Sequence, residues 1–215
     1  MHLYTFDAAP NPARLKMFMD YKGIALNSTQ INLGTAEQLG EDYRAIVPEA
    51  TVPALVLDDG SVLCAVIAIA HFLETLHPER PLLGRTAEER AQILNWNHRL
   101  FTDIFSPIAD VFRNTHPKYV NRALPGPADI SQLPELAERG KTRLLSGFSV
   151  VNEALADRVF LAGEALSFAD IDLLAALDFA AWGARSVPDE SFAHLTRWRG
   201  EAKNALHTGT HDFGC

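Results

Sequence analysis

The sequence predicts an α/β domain followed by an all-α domain, and three observations carry that expectation. Up to His77, strand-like and helix-like segments alternate and close with an Asp-Gly hairpin signal and one more helix. His77-Pro78-Glu79-Arg80-Pro81 then interrupts the pattern, since proline ends the helices it enters. From Thr86 onward apolar residues recur at helical spacing, and no segment reads convincingly as a strand. The expected boundaries are 1–77 for the first domain, 78–85 for a linker and 86–215 for the second.

The first domain reads as seven elements. His2, Leu3, Tyr4, Thr5 and Phe6 alternate as a short strand, which Ala8 to Pro12 end. Pro12 suits the first turn of a helix, where its missing N–H costs nothing. Leu15, Phe18 and Met19 fall at helical spacing between Ala13 and Tyr21, and Gly23 stands where a left-handed residue closes a helix. Leu26 to Leu33 is strand-like, and Glu37 to Ile46 reads as a short polar helix. Pro53-Ala54-Leu55-Val56-Leu57 is a strand that Asp58-Asp59-Gly60 turns back into Ser61 to Cys64. The helix after it presents Val66, Ile67, Ile69, Ala70 and Leu73 on its apolar face. A strand–helix–strand opening calls for a parallel pair with a right-handed crossover, and the hairpin adds an antiparallel edge.

In the second domain, Thr86 with Glu89 three residues on is a capping box that opens a long helix. That helix runs through Trp96, Leu100, Phe101 and Phe105, with a kink expected at Pro107 and an end near His116-Pro117. Pro125-Gly126-Pro127 marks a loop. Helices are expected over 133–157, 167–183 and 188–206. Ser167 and Asp170 form a second capping box, with Leu166 placed to pack on Ile171.

Composition narrows the function classes. A net charge of −8 repels phosphate backbones and anionic lipid, which argues against nucleic-acid and membrane partners. No apolar run has the length of a membrane span, and the first residues lack the apolar core of a signal peptide. Cys64 and Cys215 are too few for a disulfide framework or a thiolate metal site, so the cytoplasm is the expected compartment. His207 and His211 have the i, i+4 spacing of a metal pair, but without a third ligand they read as solvated, and no metal is expected.

Three signatures now stand in one order: Thr51-Val52-Pro53-Ala54-Leu55, then Asp58 to Leu63 leading into a helix, then Phe160-Leu161-Ala162-Gly163 with Ser167-Phe168-Ala169-Asp170. In that order and spacing the chain resembles the cytosolic glutathione transferase family, over essentially its whole length to about residue 205. Ala9 to Pro12, Trp96 to Arg99 and Phe112 to Pro117 look like a bacterial branch of it. The resemblance implies a thioredoxin-like first domain, an all-helical second domain and a homodimer. It also implies glutathione as co-substrate and a small-molecule electrophile as its acceptor. Pro53 resembles the family's cis-proline, whose preceding residue, here Val52, offers its backbone to the cysteinyl part of glutathione. The helix that opens near Val66 lies where the family holds the γ-glutamyl end.

Two positions depart from the family's pattern. Where it usually carries an acidic residue or glutamine followed by serine, this chain has Ala65 and Val66, whose side chains hold no amino group and no carboxylate. The helix N-terminus remains, so the Val66 N–H can still meet a carboxylate. A serine restored at 66 is expected to cap that helix as well. The family's catalytic serine or cysteine would fall at Ala9, which has no donor. Asn11 is better placed: its amide can donate to a thiolate at a helix start, although an asparagine there is commonly just a cap.

Other residues carry plainer alternatives. Gln38, fifteen residues before Pro53, has the spacing of a contact to the glycine carboxylate, although glutamines on an exposed polar helix are commonly idle. Tyr4 reads as strand burial and Cys64 as a buried, inert thiol. Trp96, Phe101, Phe105 and Phe112 line either an apolar pocket or the core. Arg113 and His116 face a cleft or pair with a helix dipole. Two functions stay open. One is an enzyme that transfers glutathione to an electrophile, or reduces with it. The other is a non-catalytic member that uses the fold for binding or dimerisation.

Overall fold

Strand β1 (His2–Thr5) lies inside a four-stranded sheet in the computed structural model, which describes residues 1–206. His207, His211 and Cys215 lie outside the described residues. The sheet order is β2-β1-β3-β4, with β2 (Ser28–Gln30), β3 (Ala54–Val56) and β4 (Val62–Leu63). β1 and β2 are parallel, while β1–β3 and β3–β4 are antiparallel. This is the mixed sheet the strand and hairpin signals required. Leu3 and Thr5 turn one face of β1 inward, and Leu55 and Ala54 are fully buried.

Helix α1 (Pro10–Lys22) ends on Gly23 at φ 71°, whose N–H returns to Asp20 and Met19 carbonyls. It packs on α3 (Val66–Leu76), whose Val66, Ile69, Ala70 and Leu73 form the buried stripe. The fully buried Lys22 ammonium donates to Glu74 at 3.2 Å and to the Glu79 carbonyl at 2.7 Å. The end of α1 is thereby tied to the end of α3.

Two segments differ from the expectation. The strand expected over 26–33 is only Ser28–Gln30, because the Asn32 side chain accepts from Gly34 and Thr35 N–H and curls the chain into a 3₁₀ turn. The helix expected over 37–46 is a 3₁₀ turn, Glu37–Leu39, and a separate α2, Glu41–Ile46, with extended Gly40 between them.

By its contacts the chain divides into two units, Met1–Arg80 with Leu124–Asp129, and Pro81–Ala123 with the residues from Ile130. The second unit is helical: α4 (Ala87–Leu100), α5 (Ser106–Thr115), α6 (Pro134–Ala154), α7 (Phe168–Gly183) and α8 (Ala193–Leu206). α4 passes into α5 through a π-helical turn, Phe101–Phe105, without leaving helical dihedrals; Pro107 follows that turn, and the Thr102 carbonyl within it accepts from Arg143 Nη2 at 2.6 Å. α6 lies against α5 at Gly140, where a Cβ would come within 2.7 Å of the Pro107 carbonyl, and against the π-helical turn at Gly147, where a Cβ would meet the Asp103 carbonyl. α7 is the buried centre, apolar on nearly every side. No helix among the described residues is long and apolar enough to cross a membrane.

Candidate functional site

Strand direction alone gathers the predicted residues at one end of the sheet. β1 leaves that end toward Ala9 and the start of α1, and β2, parallel to it, leaves there toward Gln38. β3 is antiparallel to β1 with Ala54 opposite Tyr4, so Val52-Pro53 enters at the same end. β4 is antiparallel to β3 with Leu63 opposite Leu55, so Cys64, Ala65 and Val66 follow at that end too. Asn11, Gln38, Val52, Pro53 and Val66 therefore sit on four neighbouring segments of the first unit.

The Val52-Pro53 peptide is cis. Neither the N–H nor the C=O of Val52 has a hydrogen-bond partner among the described residues. Its side chain packs on the apolar cluster of Ile31, Tyr43, Val47 and Ala54. The Tyr43 hydroxyl, on α2, donates to the Thr51 carbonyl at 2.7 Å. Burial, with Cys64, Tyr4 and Glu49 nearby, pushes the Tyr43 phenol up, so it stays a donor.

The starts of α1 and α3 are both uncapped by side chains. At α3 the Ile69 N–H takes the Ala65 carbonyl, leaving the N–H groups of Val66, Ile67 and Ala68 without partners among the described residues. Three aligned donors at the positive end of a helix favour an anion. The cap position is Ala65 and Val66 is the first helical residue, 6% exposed. A serine at 66 therefore would not cap α3, which corrects the expectation above: in the free protein it would replace buried apolar surface.

At α1 the picture is poorer in donors. Pro10 and Pro12 have no N–H and Ala13 N–H bonds Ala9, so the Asn11 N–H is the one donor of that turn. Asn11 is not the cap. It stands inside the first turn, exposed, and its Oδ1 accepts from Arg14 Nη1 at 2.9 Å. Arg14, buried at 5% exposure, thus holds the amide oxygen and leaves the Nδ2 hydrogens outward as donors. The i, i+3 spacing of Asn11 and Arg14 was a signal available in the sequence. Tyr43 offered none, since its partner is set by tertiary packing.

Gln38 is 7% exposed, not a solvent-facing helix residue, and its Oε1 has no partner among the described residues. A buried amide left open on one side is costly unless something polar completes it. Tyr4 is half-buried with its ring edge-on to Tyr43, as strand packing requires. Cys64 is half-buried rather than buried. Burial first, then the Glu49 carboxylate, push its thiol up to about 11, so it is protonated at neutral pH.

In the second unit, Trp96 and Phe105 are core, Phe101 is exposed, and Phe112 joins a ring cluster with His116, Tyr119, Phe179 and Trp182. Arg113 is structural: it donates to the Ala123 and Arg122 carbonyls at 3.1 and 2.7 Å. The His116 ring accepts from Lys118 N–H. No cluster among the described residues has the donors of a metal site.

The glutathione S-transferase N-terminal domain model matches residues 8–76, and the C-terminal domain model matches residues 111–202. Glutathione S-transferase 2 of Saccharomyces cerevisiae is 31% identical over 201 residues, spanning 92% of this chain and 83% of the relative. The chain belongs to the glutathione S-transferase family. Among solved structures, a glutathione S-transferase domain-containing protein of Marinobacter aquaeolei VT8 superposes with a TM-score of 0.84 at 28% identity, covering 94% of this chain and 97% of the other. Gtt2 of Saccharomyces cerevisiae superposes with a TM-score of 0.83 at 27% identity, covering 95% and 100%. A transferase of this family needs a site for an extended tripeptide with a carboxylate at each end. The open backbone at Val52 offers a donor and an acceptor and the uncapped start of α3 offers donors, whereas the open atom of Gln38, Oε1, is an acceptor that calls for an N–H or O–H. Ala9, Ala65 and Val66 contribute no polar side-chain atom.

Proposed function

We propose that this protein is a glutathione transferase that binds glutathione at the described sheet end and joins its sulfur to a small electrophile. The observation that carries this is the unpaired Val52 backbone, beside a helix start that no side chain caps. In this reading the cysteinyl backbone pairs with Val52 as an added antiparallel strand, which Pro53 terminates. The γ-glutamyl carboxylate takes the Val66 N–H and its neighbours, and Gln38 donates from Nε2–H to the glycine carboxylate. Asn11 Nδ2–H and the positive end of α1 stabilise the thiolate. The thiolate sulfur then attacks the electrophilic carbon, the leaving group departs with its electron pair, and the thiol proton passes to solvent. The same reading makes the protein a cytoplasmic homodimer. Light scattering at micromolar concentration should give twice the chain mass, and a monomer would refute that part.

A second reading has a specific observation behind it: Ala9, Ala65 and Val66 place no donor or acceptor side chain where relatives in this family use one. The protein would then keep the fold as a non-catalytic binding module. Calorimetric titration with glutathione, alongside turnover of 1-chloro-2,4-dinitrobenzene, separates the two. The enzyme reading expects saturable binding, and turnover that Asn11→Ala lowers about tenfold or more. Absence of both binding and turnover at millimolar glutathione would leave only the second.

A further inference from the structure

Tyr43 lies on α2 and belongs to no motif of the sequence, yet its hydroxyl makes a 2.7 Å bond to the Thr51 carbonyl. That carbonyl and the Val52 N–H are the two ends of one peptide plane. Among the described residues only Val52-Pro53 is cis, so the Thr51-Val52 peptide is trans and its C=O and N–H point in opposite directions. Whatever holds the carbonyl oxygen inward aims the N–H outward.

The hold is firm for three reasons. Tyr43 is 5% exposed and packed in the cluster of Ile31, Val47 and Ala54, so its ring has little freedom. Tyr4 meets it edge-on at 5.7 Å. The segment it grips is also pinned from behind, since the N–H of buried Ala50 donates to the Val47 carbonyl at 3.0 Å.

We infer that Tyr43 is a positioning residue for the glutathione backbone, fixing through Thr51 the direction of the Val52 N–H that the cysteinyl carbonyl meets. It touches no substrate. This rests on the proposed function for its ligand, but the geometry of the peptide can be tested without one.

Tyr43→Phe removes the hydroxyl and keeps the ring packing. The expected result is glutathione bound about tenfold more weakly, the loss of roughly one well-placed hydrogen bond. The kcat at saturating glutathione and the KM for the electrophile should stay within about twofold, because the thiol is activated elsewhere. Replacing Tyr43 with 4-aminophenylalanine, which keeps a donor at the ring tip, should restore the affinity. A residue that only packs the core would lower the melting temperature and leave the affinity of the folded protein unchanged. Wild-type affinity in Tyr43→Phe would therefore overturn the inference.

The second measurement is ¹⁵N relaxation at the Val52 amide of the unliganded wild-type protein. This amide should be as rigid as the sheet, with an order parameter of about 0.85, despite having no partner of its own. A value below about 0.6 overturns the inference even if no variant folds. If wild type binds no glutathione, the proposed function falls. The Val52 amide then decides alone: rigid in wild type and mobile in Tyr43→Phe supports the positioning role, and no change refutes it.

Discussion

Helices α4 and α7 begin on side chains that close their first turns, whereas α1 and α3 begin on alanines. At α4 the Glu89 N–H donates to Thr86 Oγ1 at 3.1 Å and Glu89 Oε2 reaches back to Arg85 and Thr86 N–H. At α7 Asp170 reaches back to the Ser167 N–H and hydroxyl, both at 2.9 Å. Ala9 and Ala65 can do nothing of the kind. An uncapped helix start costs about 1 kcal/mol relative to a capped one. Of these four, the two that stay open lie at the candidate site, where a ligand's acceptors can take the place of a cap; α2, behind Gly40, and α6, behind Leu133, also start without a side-chain cap.

The largest effect should come from the most closed start. Asp170 is fully buried and accepts four bonds: Leu161 N–H at 2.8 Å, the two from Ser167, and Trp198 Nε1–H at 2.8 Å. Asp170→Ala strands four buried donors at about 1–3 kcal/mol each, not fully additive. We predict a loss of about 4 kcal/mol or more in urea unfolding, up to failure to fold. A loss under about 1 kcal/mol would show that the cap is incidental.

How far the sequence revealed these starts follows from how local each bond is. Thr86–Glu89 and Ser167–Asp170 span three residues, so spacing alone disclosed them, as it did the hairpin at Asp58-Asp59-Gly60. Trp198 reaches Asp170 from 28 positions away and Tyr43 reaches Thr51 across a turn, so neither left a periodic trace. The burial of Gln38 was hidden for a related reason. A polar run looks solvent-facing until left-handed Ala36 and extended Gly40 set it apart as a 3₁₀ turn, Glu37–Leu39, in which Gln38 is buried. The site's segments were readable from strand order, while the residues that hold them in place were not.

The next prediction tries to fill the open start of α3. Ala65→Glu with Val66→Ser supplies an acceptor for the glutathione amino group and a donor for its carboxylate. Glutathione affinity should rise more than about a hundredfold, about 3 kcal/mol, if both charge-assisted bonds form. Unliganded stability should fall by about 1 kcal/mol, because Val66 is buried and a serine there gives up apolar contact. Unchanged affinity, measured by calorimetry, would mean that the backbone donors already serve the γ-glutamyl end.

Cys64 tests which influence rules beside that start. A thiol one residue before an open helix N-terminus normally ionises more easily. Here burial and the Glu49 carboxylate, 3.7 Å from the sulfur, act in the other direction and hold the thiol at about 11. At pH 8 this leaves about a hundredfold less thiolate than at an ordinary cysteine near 9.0. Alkylation of the Cys64 peptide by iodoacetamide, followed by mass spectrometry, should be slow at pH 8 and accelerate steeply toward pH 10. A rate like that of a free cysteine would mean that the helix end dominates.

The smallest effects compare the two kinds of start directly. Thr86→Ala removes the acceptor for Glu89 N–H and should cost α4 about 1 kcal/mol. Ala65→Ser does the reverse at α3: the new hydroxyl oxygen can accept from the Ala68 N–H, and stability should rise by about 1 kcal/mol. Ala65 is exposed, so no packing is lost in the exchange. If the open start exists for a ligand, the same substitution should weaken glutathione binding, because an occupied donor is withdrawn from the carboxylate. Urea unfolding of the free protein and calorimetry with glutathione measure the two effects separately. A gain in stability with no loss in affinity would mean that the γ-glutamyl end does not use these N–H groups, and the difference between the helix starts would then be one of sequence alone.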